Sequence, residues 1–140
     1  MVPLHIRCYQ PNTAPKPHTF YILAKGENSG KPAFNPWANS FMAISQNQEM
    51  FEFYFWLTYG LWKADKFRLY QRGSVIPFIN VDDVRSVVTG IAPSIFDQWK
   101  KFQEIISYLS RLEKRKATLA EQIIVTERLQ QQLFRSFFNQ

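Results

Sequence analysis

The chain is poor in the residues that staple small proteins or build their reactive sites. Its single cysteine, Cys8, excludes an internal disulfide framework and any multi-cysteine zinc site. Only His5 and His18 accompany it, too few and too loosely spaced to hold a metal. No run approaches the roughly 20 apolar residues that span a bilayer. The opening MVPLHIRCYQ lacks the charged-then-apolar layout of a secretion signal. These absences lead us to expect a soluble, cytoplasmic protein of a reducing compartment, with no cofactor and no membrane partner. Acidic residues are also in deficit. Eleven Asp and Glu face 17 Lys and Arg, a net charge of +6 that suits an anionic partner.

Apolar residues, by contrast, are plentiful. They make up 46% of the chain against 20% charged residues, which excludes a disordered composition. Thirteen Phe in 140 residues promise a dense aromatic core or interface. All five Gly lie at or before Gly90 and the last Pro is Pro93, so Ser94–Gln140 holds no helix breaker. We therefore divide the chain into a domain at 1–92 and a helix at 93–140, an α+β architecture. In the first part, Leu4–Tyr9, Thr19–Ala24 and Ser40–Ile44 read as strands between turn formers. Glu49–Trp62 is apolar nearly all round and reads as a helix packed on more than one side. Gly73–Ile79 (GSVIPFI) reads as a short strand that its proline makes an edge strand or a strand end. Asn80 or Asp82 is placed to cap a short helix through Val84–Val88.

Pro93-Ser94 followed by Asp97 reads as a helix start, with Ser94 as its cap. From there one seam runs in alternating steps of three and four: Phe102, Ile105, Leu109, Leu112, Lys116, Leu119, Ile123, Thr126, Gln130, Leu133 and Phe137. A 45-residue helix extends about 68 Å, whereas a domain of roughly 90 residues is only about 25–30 Å across. Most of the seam therefore calls for another helix, and a second copy of the chain in a coiled coil supplies one. Lys116 weakens that core but selects register, and in an antiparallel pair it can meet an acidic residue such as Glu113.

Two catalytic patterns fail on inspection. GENSGKP has three residues between Gly26 and Gly30, where a phosphate-binding P-loop needs four. Lys31 is then followed by Pro32, which removes an amide that should face phosphate. Cys8 and His5 are near in sequence, but residues three apart on a strand point to opposite faces, and a buried structural thiol is expected. Asp82-Asp83 reads as helix capping or as a pair that faces water. No catalytic constellation emerges, and we expect no enzyme.

Further along, Phe51–Leu61 (FEFYFWLTYGL), Lys66–Tyr70, Gly73–Ile79, Asp82-Asp83, Pro93–Gln98 (PSIFDQ) and a long helix ending LQQQLFRSFF follow one another in an order that carries a resemblance. Over roughly residues 50–140 the chain resembles the type I restriction-modification specificity (S) subunits, whose target recognition domain leads into a conserved helix. The stretches FYILAKGENSGKP and FNPWANSFMAI, with GSVIPFI, are also similar to small uncharacterised proteins of Bacteroidota mobile elements. A complete S subunit carries two recognition domains joined by two antiparallel helices, so the resemblance implies half an S subunit, completed as a homodimer. It implies DNA as a ligand and a methyltransferase subunit as a further partner.

Under that reading Lys25, Lys31, Lys63, Lys66, Arg68 and Arg72 are the candidates for phosphate contacts. Asn28, Asn35 and Asn39 are the candidates for base edges, although Asn in Pro/Gly-rich loops more often serves turn geometry. Arg111, Lys114, Arg115 and Lys116 read as the solvated flank of the coiled coil. The Phe51–Trp62 aromatics read as core. The competing reading is a homodimeric adaptor or decoy on the same scaffold that does not bind DNA. Both require a twin, so light scattering is expected to return twice the 16.6 kDa chain mass; a monomeric mass refutes the seam argument.

Overall fold

A computed structural model describes residues 1–140, which form two compact units, Met1–Gln98 and Trp99–Gln140. The class is α+β, with a long C-terminal helix. In the first unit, strands β1 (His5–Cys8), β2 (Thr19–Leu23), β3 (Pro32–Ala33) and β4 (Ser40–Ile44) form one antiparallel sheet in the order β1-β4-β2-β3. Ala43 stands opposite both Ile6 and Phe20, and Phe41 opposite Ile22. Cross-strand partners share a face, so this register gathers Ile6, Phe20, Ile22, Phe41 and Ala43 on one side, all buried.

Helix α1 (Gln48–Lys63) supplies the other half of the core. Asn47 caps it by accepting the Met50 N–H at 2.9 Å. Phe53, Tyr54, Phe55, Leu57, Thr58 and Tyr59 are all buried, as an all-round apolar helix requires. Phe55 meets Phe20 of the sheet edge-on at 5.6 Å between ring centres. Helix α2 (Val81–Phe96) buries Val84, Val88 and Ala92, and its Phe96 meets Phe53 at 5.2 Å. Arg85 of α2 donates from Nε to the Ile6 carbonyl at 2.9 Å. It thereby occupies a backbone acceptor on edge strand β1 that could otherwise pair with another chain.

Several expectations are corrected. Gly73–Ile79 is not a strand: residues 73–77 turn, and only Phe78 pairs, through isolated bridges to Lys25 and Arg72. The helix expected over Val84–Val88 runs on through Gly90 and Pro93 to Phe96. Pro93 removes only one helical N–H, the partner of the Thr89 carbonyl, on a stretch where Thr89, Gly90 and Ser94 are exposed. Ser94 is no cap; its hydroxyl donates to the Ile91 carbonyl at 2.9 Å, and Asp97 closes α2 instead. The units thus divide at Gln98/Trp99, inside the span assigned above to a single helix. Cys8 is exposed, not buried, because it closes an edge strand. In the second unit, helix α3 (Trp99–Phe138) is a single 40-residue helix, about 60 Å long.

Tyr54 links the core to the N-terminus, its hydroxyl donating to the Val2 carbonyl at 3.0 Å. Burial holds its pKa above the ordinary 10.0. The unfolded chain releases this proton first, so the contribution is complete below about pH 10 and is lost as pH rises beyond it. Tyr54→Phe is expected to lose about 1 kcal/mol at neutral pH. Urea unfolding at pH 8 and at about pH 10.5 should show the gap to wild type narrowing at the higher pH.

Candidate functional site

The segment between β2 and β3 turns twice through conformations that side chains rarely adopt, with Gly26 at φ +97° and Gly30 at φ +98°. The Gly30 N–H donates to the Leu23 carbonyl at 2.8 Å, and the Lys31 N–H to the Asn28 carbonyl at 3.0 Å. The turn leads into β3 and not into a helix, which sets it apart from a P-loop. It is fastened to the segment that follows α1. The Gly26 N–H donates to the Pro77 carbonyl at 2.7 Å, the Ile79 N–H to the Ala24 carbonyl at 3.0 Å, and Gln71 Nε2 to the Glu27 carbonyl at 3.1 Å. Phe67, 1% exposed, lies against Gly30, where any Cβ would overlap its ring.

This docking shapes a half-open surface depression of about 270 Å³ lined by Glu27, Asn28, Ser29, Trp62, Lys63, Asp65, Phe67, Arg68 and Gln71. Residues from two segments more than 30 positions apart in the chain thus share one wall. The Lys63 and Lys31 ammonium groups stand 4.8 and 5.2 Å from the Trp62 ring centre, within the range of cation–π attraction. Neither lysine forms an ion pair, and nor do Lys25 and Lys66. Arg68 makes only a loose 4.0 Å contact with Asp65, both largely exposed, which is worth little. Arg72 is different: it faces Asp83 at 3.5 Å and its charge is already matched. Ser29 is fully buried in the wall of the depression, and its hydroxyl has no hydrogen-bond partner.

The structure therefore brings together part of the set named from sequence. Asn28, Lys63 and Arg68 line the depression, and Lys31 stands beside it on Trp62. Lys25 and Asn39 line a separate depression with Cys8, Tyr9 and Phe78. The backbone carbonyl of Asn39 extends the β2–β4 ladder there, accepting the Ala24 N–H at 2.9 Å. Asn35 lies in the exposed connection before β4, and Lys66 beyond the end of α1; neither lines the first depression. Trp62, read above as core, is only half-buried. Ser29, Asp65 and Gln71 had no signal of their own in the sequence. The paired glycines were the one local hint, since both adopt positive φ.

On α3 no residue is buried. Seam positions Ile105, Leu112, Leu119, Ile123, Leu133 and Phe137 are between 47% and 72% exposed. Phe102 and Leu109 are intermediate, while Thr126 and Gln130 are exposed polar positions on the same seam. Lys116 reaches Glu113 of its own helix at 3.6 Å. Toward the C-terminus the apolar surface widens past the seam to Ile124, Val125, Leu129, Phe134 and Phe138.

The chain belongs to a family of unknown function (DUF6943), whose model matches residues 6–136 and so spans both units. No curated protein matches the chain, and no solved structure does.

The geometry separates the two glycines. A Cβ at Gly26 meets open space, whereas one at Gly30 strikes Phe67. Gly26→Ala is expected to lose about 1–2 kcal/mol from backbone strain alone. Gly30→Ala should lose roughly 2–5 kcal/mol, because overlap adds to strain. Urea midpoints of the two variants check the ordering.

Proposed function

We propose that the protein is a non-enzymatic, cytoplasmic, DNA-binding homodimer, equivalent to half of a restriction-modification specificity subunit and paired through antiparallel α3 helices. The observation that carries the DNA part is the charge arrangement. Lys25, Lys31, Lys63 and Lys66 have no carboxylate partner, and two of them stand at one indole beside Arg68. Cations left unmatched within a fold are those that can release counterions on a phosphate backbone. Arg72, matched by Asp83, contributes less.

The pairing part is supported by α3. A helix about 60 Å long whose seam side chains remain exposed gains the most by burying them against a second copy. Ile124, Val125, Leu129, Phe134 and Phe138 lie exposed off the seam. They support a further helical partner at the C-terminal end, and the methyltransferase subunit is the one the resemblance offers. The adaptor reading shares the dimer but has no use for the unmatched lysines.

Gel-shift titration of duplex DNA at two salt concentrations tests the reading. The dimer is expected to bind with a steep salt slope. Lys31→Gln with Lys63→Gln should flatten log K against log salt by about one per lysine removed. Arg115→Gln on α3 should leave the slope unchanged. A dimer indifferent to duplex at low salt establishes the adaptor instead, and co-purification of a methyltransferase subunit tests the restriction connection.

A further inference from the structure

The polar positions on the α3 seam are Lys116, Thr126 and Gln130. What each of them meets depends on how two helices are set against one another. In a parallel pair in register every seam residue meets its own copy, so two Lys116 ammonium groups face each other in the core. A staggered parallel pair avoids that meeting but is open-ended and invites further copies. In an antiparallel pair the seam residues interlock in layers. Three placements, each one heptad from the next, then overlap most of the helix.

Chemistry separates the three. With Lys116 opposite the partner's Leu119, the residue beside it on the same flank is the partner's Ala120, which offers no carboxylate. With Lys116 opposite the partner's Leu112, the helices slide too far. Leu133 and Phe137, 72% and 64% exposed, then pass beyond Trp99, the first residue of the partner's α3. With Lys116 opposite the partner's Thr126, both faults vanish. Ile105 meets Phe137, Leu109 meets Leu133, and Leu119 meets Ile123 across the pair. The partner's Glu127, next after Thr126, then lies on the flank beside Lys116.

Three observations within α3 fit this last placement. The Lys116 ammonium reaches Glu113 of its own helix at 3.6 Å, toward the flank on which the partner's Glu127 arrives, and Glu127 forms no ion pair of its own. The Thr126 hydroxyl donates to the Gln122 carbonyl at 2.8 Å, which leaves its lone pairs to accept from an ammonium. The overlap runs from Ile105 to Phe137, about 50 Å of helix. Phe102, the seam residue left outside it, is already half-buried in the single chain.

We propose that α3 pairs with a second copy in this one antiparallel register, and that Lys116 selects it by placing its ammonium between Glu113 of its own helix and the partner's Glu127. The proposal rests on the antiparallel homodimer put forward above; the register and the residues that select it are additional. Without the lysine, two glutamates stand on one flank as like charges. With it, the dimer holds two such clusters related by its twofold axis.

Disulfide trapping in the full chain tests it, on a Cys8→Ser background because Cys8 is the single native cysteine and is exposed. Leu109→Cys chains mixed with Leu133→Cys chains are expected to form a mixed disulfide under mild oxidation, while neither chain links to itself. Glu127→Lys should raise the dissociation constant of the dimer about tenfold or more in sedimentation, since both clusters turn repulsive. Glu121→Lys, on the face away from the seam, should change it less than about twofold. A mixed product of Phe102→Cys with Leu133→Cys, or of Leu109→Cys with Leu119→Cys, overturns the register and leaves the antiparallel dimer standing. So do equal effects of the two charge reversals, or a dimer that yields no 109–133 product. Self-linked Leu133→Cys chains reveal a parallel pair and overturn both readings, as does a chain that stays monomeric.

Discussion

The contact between Phe67 and the bare backbone of Gly30 holds the β2–β3 turn against the segment that follows α1. Phe67 lies just beyond α1, and Gly30 closes the turn between β2 and β3. Without a Cβ, Gly30 leaves the space that the Phe67 ring occupies, while its positive φ sends the chain back into the sheet. The hydrogen bonds of Gly26, Ala24 and Glu27 to residues 71–79 then close around that contact. The depression, the approach of Lys31 to Trp62 and the burial of Ser29 lie around this seating, whereas Lys63 neighbours Trp62 on α1 itself.

Charge is arranged by the same docking. The net surplus of +6 is spread along the sequence, and spread charge is no site. Folding sorts it. Arg72 is drawn to Asp83, Arg85 to Asp82 and to the edge of β1. Those two arginines serve the fold. Lys31 and Lys63 are held by the Trp62 quadrupole instead of by a carboxylate, so their full charge remains available to an anion. The second unit follows another rule. In α3 the charges lie along a helix whose apolar side chains stay in solvent, and the physics there is of burial still to be completed.

Residue pattern sufficed where the determinant was local. The strands at Thr19–Leu23 and Ser40–Ile44, the all-round burial of α1, and the unbroken register from Phe102 to Phe137 were each legible, because alternation, aromatic density and the absence of Gly and Pro act within a few residues. The same local logic misread GSVIPFI as a strand and Pro93 as a helix start. Strand pairing needs a neighbour the sequence does not name. A proline is tolerated where the helix loses only one bond on an exposed face. Cys8 was misread for a similar reason: whether a strand residue is covered depends on which strand lies beside it.

Of the candidate site, the cationic and amide residue types were visible beforehand, but not their grouping. Composition and periodicity by themselves determined an α+β chain, basic overall, with a long amphipathic helix at its end. Only the tertiary structure decided that Asn28, Lys63 and Arg68 share a depression from which Lys25 and Asn39 are absent, that Arg72 is already matched, and that Ser29 is buried without a partner. The reason is that these relations join residues separated in the chain, some 30 to 40 positions apart around the depression and 11 apart for Arg72 and Asp83. The grouping at the β2–β3 turn depends on a steric fit at Gly30 that no spacing rule encodes.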